Sequence, residues 1–362
     1  MGKPIPRPGI MDIAAYVGGK HSVAGVDRVM VLSANENPLG ASKKAVEAYR
    51  AAADSLYRYP DGGAHALRDA IGKRFGLDPA RIVCGAGSDE LIALLIKAYA
   101  GPGDEVLYSQ HGFLMYAISA KSAGATPVAA PEKNLTADID ALLAHVTENT
   151  RILFLANPNN PTGSCLPSSE VRRLRERLRE DVLLVIDAAY AEYVDRDDYT
   201  AGEDLVGDFD NVVMLRTFSK IFGLASLRLG WAFASPAVTD VLNRVRGPFN
   251  TSTAAQTAGV AALADRAHVE ASQKHNARWR AWLTQQIGGL GIEVPRSDGN
   301  FILMRFAGRA QADAAYDHLM SRGIITRLMG GYGLADSVRV TVGLEDENRA
   351  LVAALAEHLE AT

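Results

Sequence analysis

The sequence predicts an α/β protein whose largely parallel central sheet is covered by helices on both faces. Two patterns support this class: short apolar runs alternate with amphipathic segments, and turns rich in glycine or proline separate them. The run Val182-Leu183-Leu184-Val185-Ile186 has no polar alternation, which indicates a strand buried on both faces. Ligands of such folds bind at the carboxyl ends of the strands, so polar residues that follow the apolar runs are the first candidates for function.

The first part of the chain repeats a unit of one strand and one helix. Residues 81–84 form the first predicted strand, and residues 89–99 form an amphipathic helix. A turn at 101–104 leads into the next strand at 105–108. The same alternation predicts strands at 152–155, 182–186 and 212–215 and a helix at 170–180.

The pattern changes after Pro248. A long helical region at about 254–287 precedes a β-rich stretch, and a helix at 346–359 closes the chain. The β-rich stretch contains predicted strands at 301–304, 323–326 and 338–342. We therefore predict an N-terminal segment (1–35), a large domain (36–248) and a small α+β C-terminal domain (249–362).

Composition narrows the class of protein. The chain has 362 residues, of which 48% are hydrophobic and 22% charged, which is typical of a soluble globular protein with more than one core. A net charge of −4 without a dense basic run predicts no nucleic-acid partner. Cys84 and Cys165 are too few for a disulfide framework and lack metal-ligand spacing, so we predict no metal site. We find no signal-peptide core or membrane-length apolar run, and we expect a cytoplasmic protein with no membrane partner.

Lys220 has the surroundings that point most directly to a chemistry. It follows an apolar run, is preceded by the hydroxyls of Thr217 and Ser219, and is followed by Arg228. A lone lysine is normally a solvated charge. An amine that a buried strand delivers beside phosphate-binding groups indicates a Schiff base to pyridoxal phosphate.

Asp187 and Tyr190 follow the predicted buried strand. Asp187 has two interpretations: a cap of the next turn, or a carboxylate that pairs with the protonated pyridine nitrogen of pyridoxal phosphate. Tyr190 is either a half-buried aromatic or a hydrogen-bond donor to the phenolate oxygen of the cofactor.

Two further strand ends carry candidates for the cofactor ring. Asn160 lies in Asn157-Pro158-Asn159-Asn160-Pro161-Thr162-Gly163, which is by itself only a turn, but its amide would point into the ligand crevice toward the ring oxygen. Phe113 follows the strand at 105–108 and is either a core residue or a stacking partner of the pyridine face.

A phosphate site is predicted where Gly85-Ala86-Gly87-Ser88-Asp89 joins a strand to a helix. Free N–H groups and the helix dipole favour an anion there, although Ser88 is equally an ordinary N-cap. The segment matches neither a P-loop nor the full dinucleotide fingerprint. Ser219 and Arg228 would complete the site, with Arg228 able to make bidentate contacts.

Together these motifs resemble the fold-type I pyridoxal-phosphate aminotransferases, a resemblance that covers nearly the whole chain. It implies a large domain with a mostly parallel seven-stranded sheet and a smaller C-terminal domain. The segments that carry it are 34–40, 58–62, 159–163, Ser219-Lys220 with Arg228, and 338–343.

The resemblance also implies roles for single residues. Lys220 would move the proton between the substrate α-carbon and the cofactor, and Tyr59 would reach the phosphate in the neighbouring subunit of a homodimer with shared sites. Two positions depart from the family pattern: Ala188 replaces a glutamate, and Phe113 replaces a frequent tyrosine. The full set implied to bind the cofactor is Lys220, Asp187, Tyr190, Asn160, Gly87, Ser88, Phe113, Thr217, Ser219, Arg228 and Tyr59.

For the substrate, the resemblance implies that Arg339 binds an α-carboxylate and that Arg327 adds the cation that a phosphate dianion needs. Asn160, Tyr16 and Asn37 would complete the pocket, the last two near the imidazole ring. The implied reaction is transamination between L-histidinol phosphate/2-oxoglutarate and imidazole acetol phosphate/L-glutamate in histidine biosynthesis.

Other functions fit the same motifs. An aromatic amino-acid aminotransferase is the nearest alternative, since an imidazole pocket accepts a phenyl ring, and a threonine-phosphate decarboxylase is a third. A non-catalytic cofactor-binding regulator would need a DNA-binding extension, and the residues before the first motif are too few for a helix-turn-helix domain.

Overall fold

The computed structural model describes residues 4–15, 22, 23, 25 and 28–361. Its strands are β1 (Met30–Val31), β2 (Ile82–Gly85), β3 (Glu105–Ser109), β4 (Thr126–Ala130), β5 (Glu132–Lys133), β6 (Thr136–Ala137), β7 (Thr150–Ala156), β8 (Leu183–Asp187), β9 (Val212–Thr217), β10 (Gly230–Ala234), β11 (Phe301–Arg305), β12 (Ile324–Ile325), β13 (Arg327–Met329) and β14 (Leu334–Thr341). Its helices are α1 (Lys43–Ala51), α2 (His65–Phe75), α3 (Ser88–Tyr99), α4 (Leu114–Ala123), α5 (Ile139–Ala144), α6 (Ser168–Arg177), α7 (Glu203–Asp208), α8 (Pro236–Val245), α9 (Thr253–Ala264), α10 (Arg266–Gly289), α11 (Arg309–Ser321) and α12 (Glu345–Glu360).

The large sheet confirms the predicted fold class. In the described part of the chain it has seven strands in the order β2-β10-β9-β8-β7-β3-β4. Neighbouring strands from β4 to β9 run parallel, whereas β10 is antiparallel to both β2 and β9. Every residue of β2, β8, β9 and β10 is buried, as expected for a sheet covered on both faces.

Two apolar cores lie on the two faces of this sheet. One contains Leu155, Ile186 and Met214, and the other contains Phe154, Val185 and Leu215. The alternation follows from the strand period of two, which sends successive side chains to opposite faces.

Three of the differences from the sequence predictions concern the large sheet and the long helical region. Strands β4 and β10 were not predicted, and the long helical region at 254–287 is two helices. The break falls at Asp265, whose φ of −92° and ψ of 71° leave the helical region. Aspartate is a poor interior helix residue, so a break at this position is physically reasonable.

A second sheet of three antiparallel strands, β11-β14-β13, packs with α10, α11 and α12 around a separate core. Leu32 joins this core, and β1 pairs in parallel with β12. Helix α9 instead packs on α1 and α2, and Val269 of α10 joins the core of the large sheet. The packing therefore changes within α10, beyond residue 248, and the proposed domain limits stay predictions.

One short stretch of chain connects the carboxyl edge of the large sheet to the small sheet. Strands β7, β8 and β9 end at this edge with Ala156, Asp187 and Thr217. Residues 33–35, which follow β1 and Leu32, hydrogen-bond to Lys220 and Tyr190 of the large domain and to Arg339 of the small sheet. Of the helices in the described ranges, none is long and apolar enough to cross a membrane.

Candidate active site

A cavity of about 230 Å³ opens at the carboxyl edge of the large sheet. It brings together residues from six separate parts of the sequence, as expected where parallel strands end beside each other. The predicted site residues that line it are Ser88, Phe113, Asn160, Asp187, Tyr190, Thr217, Ser219, Lys220 and Arg228.

Lys220 lies in the loop that follows β9, and its side chain is directed into the cavity. Its Nζ atom donates a hydrogen bond to the carbonyl oxygen of Ala34 at 3.2 Å and lies 5.7 Å from the ring centre of Tyr190. Burial, together with the positive charge of Arg339, lowers the pKa of Lys220 from 10.5 to about 8. A larger fraction of this amine is therefore neutral, and hence nucleophilic, near neutral pH than for a surface lysine.

Asp187 is the last residue of β8 and is only 6% exposed. Its Oδ2 atom accepts a hydrogen bond from the hydroxyl of Tyr116 at 2.7 Å, whereas Oδ1 is buried without a partner in the protein. Burial raises the pKa of Asp187 from 3.8 to about 6, so a positive partner is needed to keep the group fully ionised. The protonated pyridine nitrogen of the predicted cofactor fits that unpaired oxygen.

Tyr190 is 3% exposed and packs edge-on against Phe301. Its hydroxyl accepts a hydrogen bond from Nδ2 of Asn35 at 2.9 Å, which leaves its own proton available for donation. Burial raises the pKa of Tyr190 to about 12, so the phenol remains a donor at neutral pH. An anionic ring oxygen of a cofactor would be a suitable acceptor.

The predicted phosphate site lies where β2 joins α3. Gly87 has φ 82° and ψ 166°, and it precedes Ser88, the first residue of α3. A Cβ atom at Gly87 would lie 2.4 Å from Nη2 of Arg228, and one at Gly230 would lie 2.5 Å from the backbone nitrogen of Ser88. Only glycines permit this close approach of the loop, β10 and the guanidinium, which fits a cradle for an anion.

Arg228 reaches this cradle from a left-handed backbone conformation with φ 49°. Its Nη1 atom donates to Oγ of Ser219 at 3.3 Å and to the carbonyl of Ala225 at 3.0 Å, and its Nη2 atom pairs with Asp89 at 3.0 Å. The side chains of Arg228 and Asp89 are 49% and 43% exposed, so their ion pair is weak. A phosphate dianion at the N-terminus of α3 would compete well for the same guanidinium.

Two arginines predicted to bind substrate lie in the small sheet, and neither lines the cavity of Lys220, since Arg327 lines a separate cavity with Leu114. Arg339 is 7% exposed and donates to the carbonyl of Ser33 at 2.7 Å and to Oδ1 of Asn160. Arg327 lies directly opposite Arg339 in the β13–β14 register, so both side chains leave the same face of the sheet. Like charges in this arrangement repel each other, and an anion bound between them would be stabilised.

Tyr59 and Asn37, also predicted as site residues, do not line the cavity of Lys220. Tyr59 is 82% exposed and stacks on Phe249 with the ring centres 4.6 Å apart. The amide of Asn37 donates to the Ile221 carbonyl and to Ser272, so it holds the backbone outside the cavity lining. Tyr16 lies outside the described residues. The assigned roles of all three stay predictions.

Four contributions were missed by reasoning from the sequence. The carbonyls of Ser33 and Ala34 are backbone groups, which no side-chain pattern identifies. Tyr116 lies within α4 and has the appearance of an ordinary core aromatic, while Gly230 begins β10, a strand that was not predicted. Within the residues that the structure covers, no group of three or more His, Cys, Asp or Glu could hold a metal ion.

Comparison with known proteins identifies the class. The family model described as "Aminotransferase class I and II" matches residues 27–355, and the chain belongs to this family. It is 60% identical to the histidinol-phosphate aminotransferase of Paramagnetospirillum magneticum, over 100% of both chains. It is 57% identical to that of Rhodospirillum centenum, over 99% of this chain and 100% of the relative.

A solved structure has the same architecture. The crystal structure of histidinol-phosphate aminotransferase from Sinorhizobium meliloti in complex with pyridoxal-5'-phosphate matches with a TM-score of 0.90 and 29% identity. The match covers 98% of this chain and 97% of that one, so both sheets and the carboxyl edge that bears the cavity fall within it.

Proposed function

We propose that this chain is a pyridoxal-phosphate-dependent enzyme that transfers the amine between L-histidinol phosphate and 2-oxoglutarate in histidine biosynthesis. The observation that carries the proposal is that the amine of Lys220 and the unpaired Oδ1 of Asp187 share one cavity, which Arg228 also lines. The full-length similarity to histidinol-phosphate aminotransferases supports this choice of substrate.

Pyridoxal phosphate, when bound, supplies an aldehyde for amines and a ring that draws electrons from the substrate α-carbon. The residues of the chain supply the rest. Lys220, with a pKa near 8, holds the aldehyde end and then moves the proton at the substrate α-carbon. Asp187 would keep the ring nitrogen protonated through Oδ1, and Tyr190 and Asn160 would hydrogen-bond to the ring oxygen.

The phosphate end is held by groups from two parts of the sheet edge. We assign Gly87 and Ser88 to backbone and hydroxyl contacts, Thr217 and Ser219 to hydroxyl contacts, and Arg228 to the charged contact. Phe113 would cover one face of the ring. Its ring stands at 87° to that of Tyr116, 5.9 Å away, which fixes its orientation.

Substrate recognition rests on the arginine pair. Histidinol phosphate carries a phosphoester but no carboxylate, whereas glutamate and 2-oxoglutarate carry carboxylates. One cationic region must therefore bind either anion in alternate half-reactions. Arg339, bonded to Asn160, is assigned to the group nearest the reacting amine, and Arg327 supplies the second charge that a dianion requires.

The active unit is proposed to be a homodimer with shared sites, in the cytoplasm. Tyr59 lies outside the cavity of its own chain, in a surface region with other exposed apolar side chains, of which Leu56 is 77% and Tyr57 78% exposed. Such clusters commonly mark a protein interface. A chain with Lys220→Ala mixed with a chain with Tyr59→Ala should regain activity if a dimer forms one intact shared site. Mixtures that stay inactive while dimers form would contradict shared sites.

The substrate assignment is tested by half-reactions. Absorbance of the bound cofactor should change to that of its amine form with histidinol phosphate or glutamate, and Lys220→Ala should abolish turnover. A kcat/KM for phenylalanine above that for histidinol phosphate would favour the aromatic amino-acid activity instead. Release of CO₂ from threonine phosphate would identify the decarboxylase, and a protein that binds cofactor but responds to no donor would be a regulator.

A further inference from the structure

Tyr116 is a fully buried residue of α4 that bridges two parts of the proposed cofactor site. Its hydroxyl donates to Oδ2 of Asp187 at 2.7 Å. Its ring stacks on Phe154 with centres 4.5 Å apart and planes at 11°, and the same ring meets Phe113 edge-on. The side chain is 0% exposed, so its position is set by packing on every side.

The hydrogen bond from Tyr116 gives the two carboxylate oxygens of Asp187 different surroundings. Oδ2 is occupied by Tyr116, and Oδ1 is left as the only carboxylate oxygen of this residue without a partner in the protein. A carboxylate on a rotatable bond could present either oxygen in either direction. The phenol fixes the plane of the carboxylate, because any rotation other than the half-turn that exchanges its two equivalent oxygens would leave a buried hydroxyl without an acceptor.

The other charged groups around Asp187 act in opposing directions. Asp89, on α3, disfavours the ionised form of Asp187 by repulsion, and Lys220, after β9, favours it by attraction. The Tyr116 hydroxyl adds a hydrogen bond that favours the ionised form in a site where burial acts strongly against it. The phenol itself stays a donor, since burial raises the pKa of Tyr116 well above its ordinary value.

We propose that Tyr116 is a positioning residue for the cofactor's ring nitrogen: it holds Asp187 ionised, with Oδ1 turned toward that nitrogen. This inference rests on the proposed function, because it presumes pyridoxal phosphate in the cavity. It assigns Tyr116 no contact with substrate. The residue acts through Asp187, and through Phe113 it also fixes the ring that would cover the cofactor.

The test uses the full-length protein loaded with pyridoxal phosphate labelled with ¹⁵N in the ring. Tyr116→Phe keeps the stacked ring and removes only the hydroxyl. We expect the ring ¹⁵N resonance to move toward that of neutral pyridine, and the cofactor dissociation constant to rise about ten- to hundredfold, the effect of one hydrogen bond to a charged group. kcat should fall, with KM for the amino donor little changed.

Tyr199→Phe is the matched control. The Tyr199 hydroxyl donates to the carbonyl of Asn157 at 2.9 Å, so this variant also loses a phenol hydrogen bond but not one to Asp187. It should lose stability without moving the ring ¹⁵N resonance. Replacement Tyr116→3-fluorotyrosine keeps the size of the side chain and strengthens the donor. It should move the resonance in the opposite sense, and it serves if Tyr116→Phe does not fold.

The outcomes separate this inference from the proposed function. A wild-type protein that binds no labelled cofactor would remove the proposed function. A wild-type protein that binds it, with a ¹⁵N resonance unchanged in Tyr116→Phe or unchanged on fluorination, would overturn the role of Tyr116 and leave the proposed function standing. Equal resonance shifts in Tyr116→Phe and Tyr199→Phe would also overturn it, because they would indicate a general effect of lost stability.

Discussion

Replacing Gly87 with alanine tests whether the anion cradle depends on the close approach of Arg228. Gly87 has φ 82° and ψ 166°, a region that is essentially restricted to glycine and costs other residues about 1–3 kcal/mol. The added Cβ would lie 2.4 Å from Nη2 of Arg228, so the guanidinium must move. Backbone strain at residue 87 and displacement of the Arg228 guanidinium therefore both occur within the proposed phosphate site.

The two effects have different expected sizes and readouts. Backbone strain should lower the free energy of unfolding by about 1–3 kcal/mol, with or without cofactor. Loss of a charge-assisted contact between Arg228 and a phosphate should weaken cofactor binding by about 1.5–3 kcal/mol, or roughly ten- to hundredfold in the dissociation constant. Denaturant unfolding of the apoprotein gives the first quantity, and titration of the apoprotein with pyridoxal phosphate gives the second.

Gly76→Ala is the control that separates the effect of backbone strain from the effect of displacing Arg228. Gly76 has φ 70° and ψ 31°, and a Cβ there would meet nothing within 4 Å. This variant should lose about 1–2 kcal/mol of stability and keep the wild-type dissociation constant for the cofactor. A Gly87→Ala protein that binds pyridoxal phosphate as tightly as the wild type would refute the assignment of the cradle.

Three further results are expected. Attachment of pyridoxal phosphate to the apoprotein should accelerate as pH rises through about 8, the lowered pKa of Lys220, and an increase only near 10.5 would contradict that shift. Because burial raises the pKa of Asp187 from 3.8 to about 6, the apoprotein should lose stability as pH rises from about 4 through 6. Asp187→Asn should therefore stabilise the apoprotein at pH 7 by up to about 3 kcal/mol in denaturant unfolding while slowing turnover at least about a hundredfold. In steady-state kinetics, Arg327→Gln should raise KM for histidinol phosphate about ten- to hundredfold and have a smaller effect on KM for glutamate. Arg339→Gln should raise the KM values for both substrates. Equal effects of Arg327→Gln on both substrates would contradict its assignment to the phosphate.

The parts of the site that the sequence predicts are the side chains at strand ends. Apolar runs mark β8 and β9, and the polar residues Asp187 and Lys220 that follow them must emerge at the same edge of a parallel sheet. This reasoning needs only local pattern and strand direction. It explains why cofactor candidates from distant parts of the chain line one cavity.

The parts that it does not predict depend on long-range pairing or on backbone groups. Strand β10 lies between β9, its neighbour in the sequence, and β2, which is far away in the sequence, so its place in the sheet depends on a long-range pairing. The carbonyl of Ala34 has no signal in the residue type. Tyr116 is indistinguishable from any aromatic of a buried helix until its hydroxyl is seen on Asp187. The change of core within α10 similarly depends on which helices lie beside it.

The antiparallel direction of β10 has a consequence for the spacing of the site. Because Thr217 at the end of β9 is paired with Gly230 at the start of β10, the loop between them leaves and re-enters the sheet at one point. Lys220 stands near the exit of this loop and Arg228 near its return, and a bond of 2.9 Å from Phe218 N to Leu229 O closes its base. The length of the loop therefore sets the distance between the amine of Lys220, proposed to bind the aldehyde, and the guanidinium of Arg228, proposed to bind the phosphate. Insertions or deletions within the loop would alter that distance even if every functional side chain were kept.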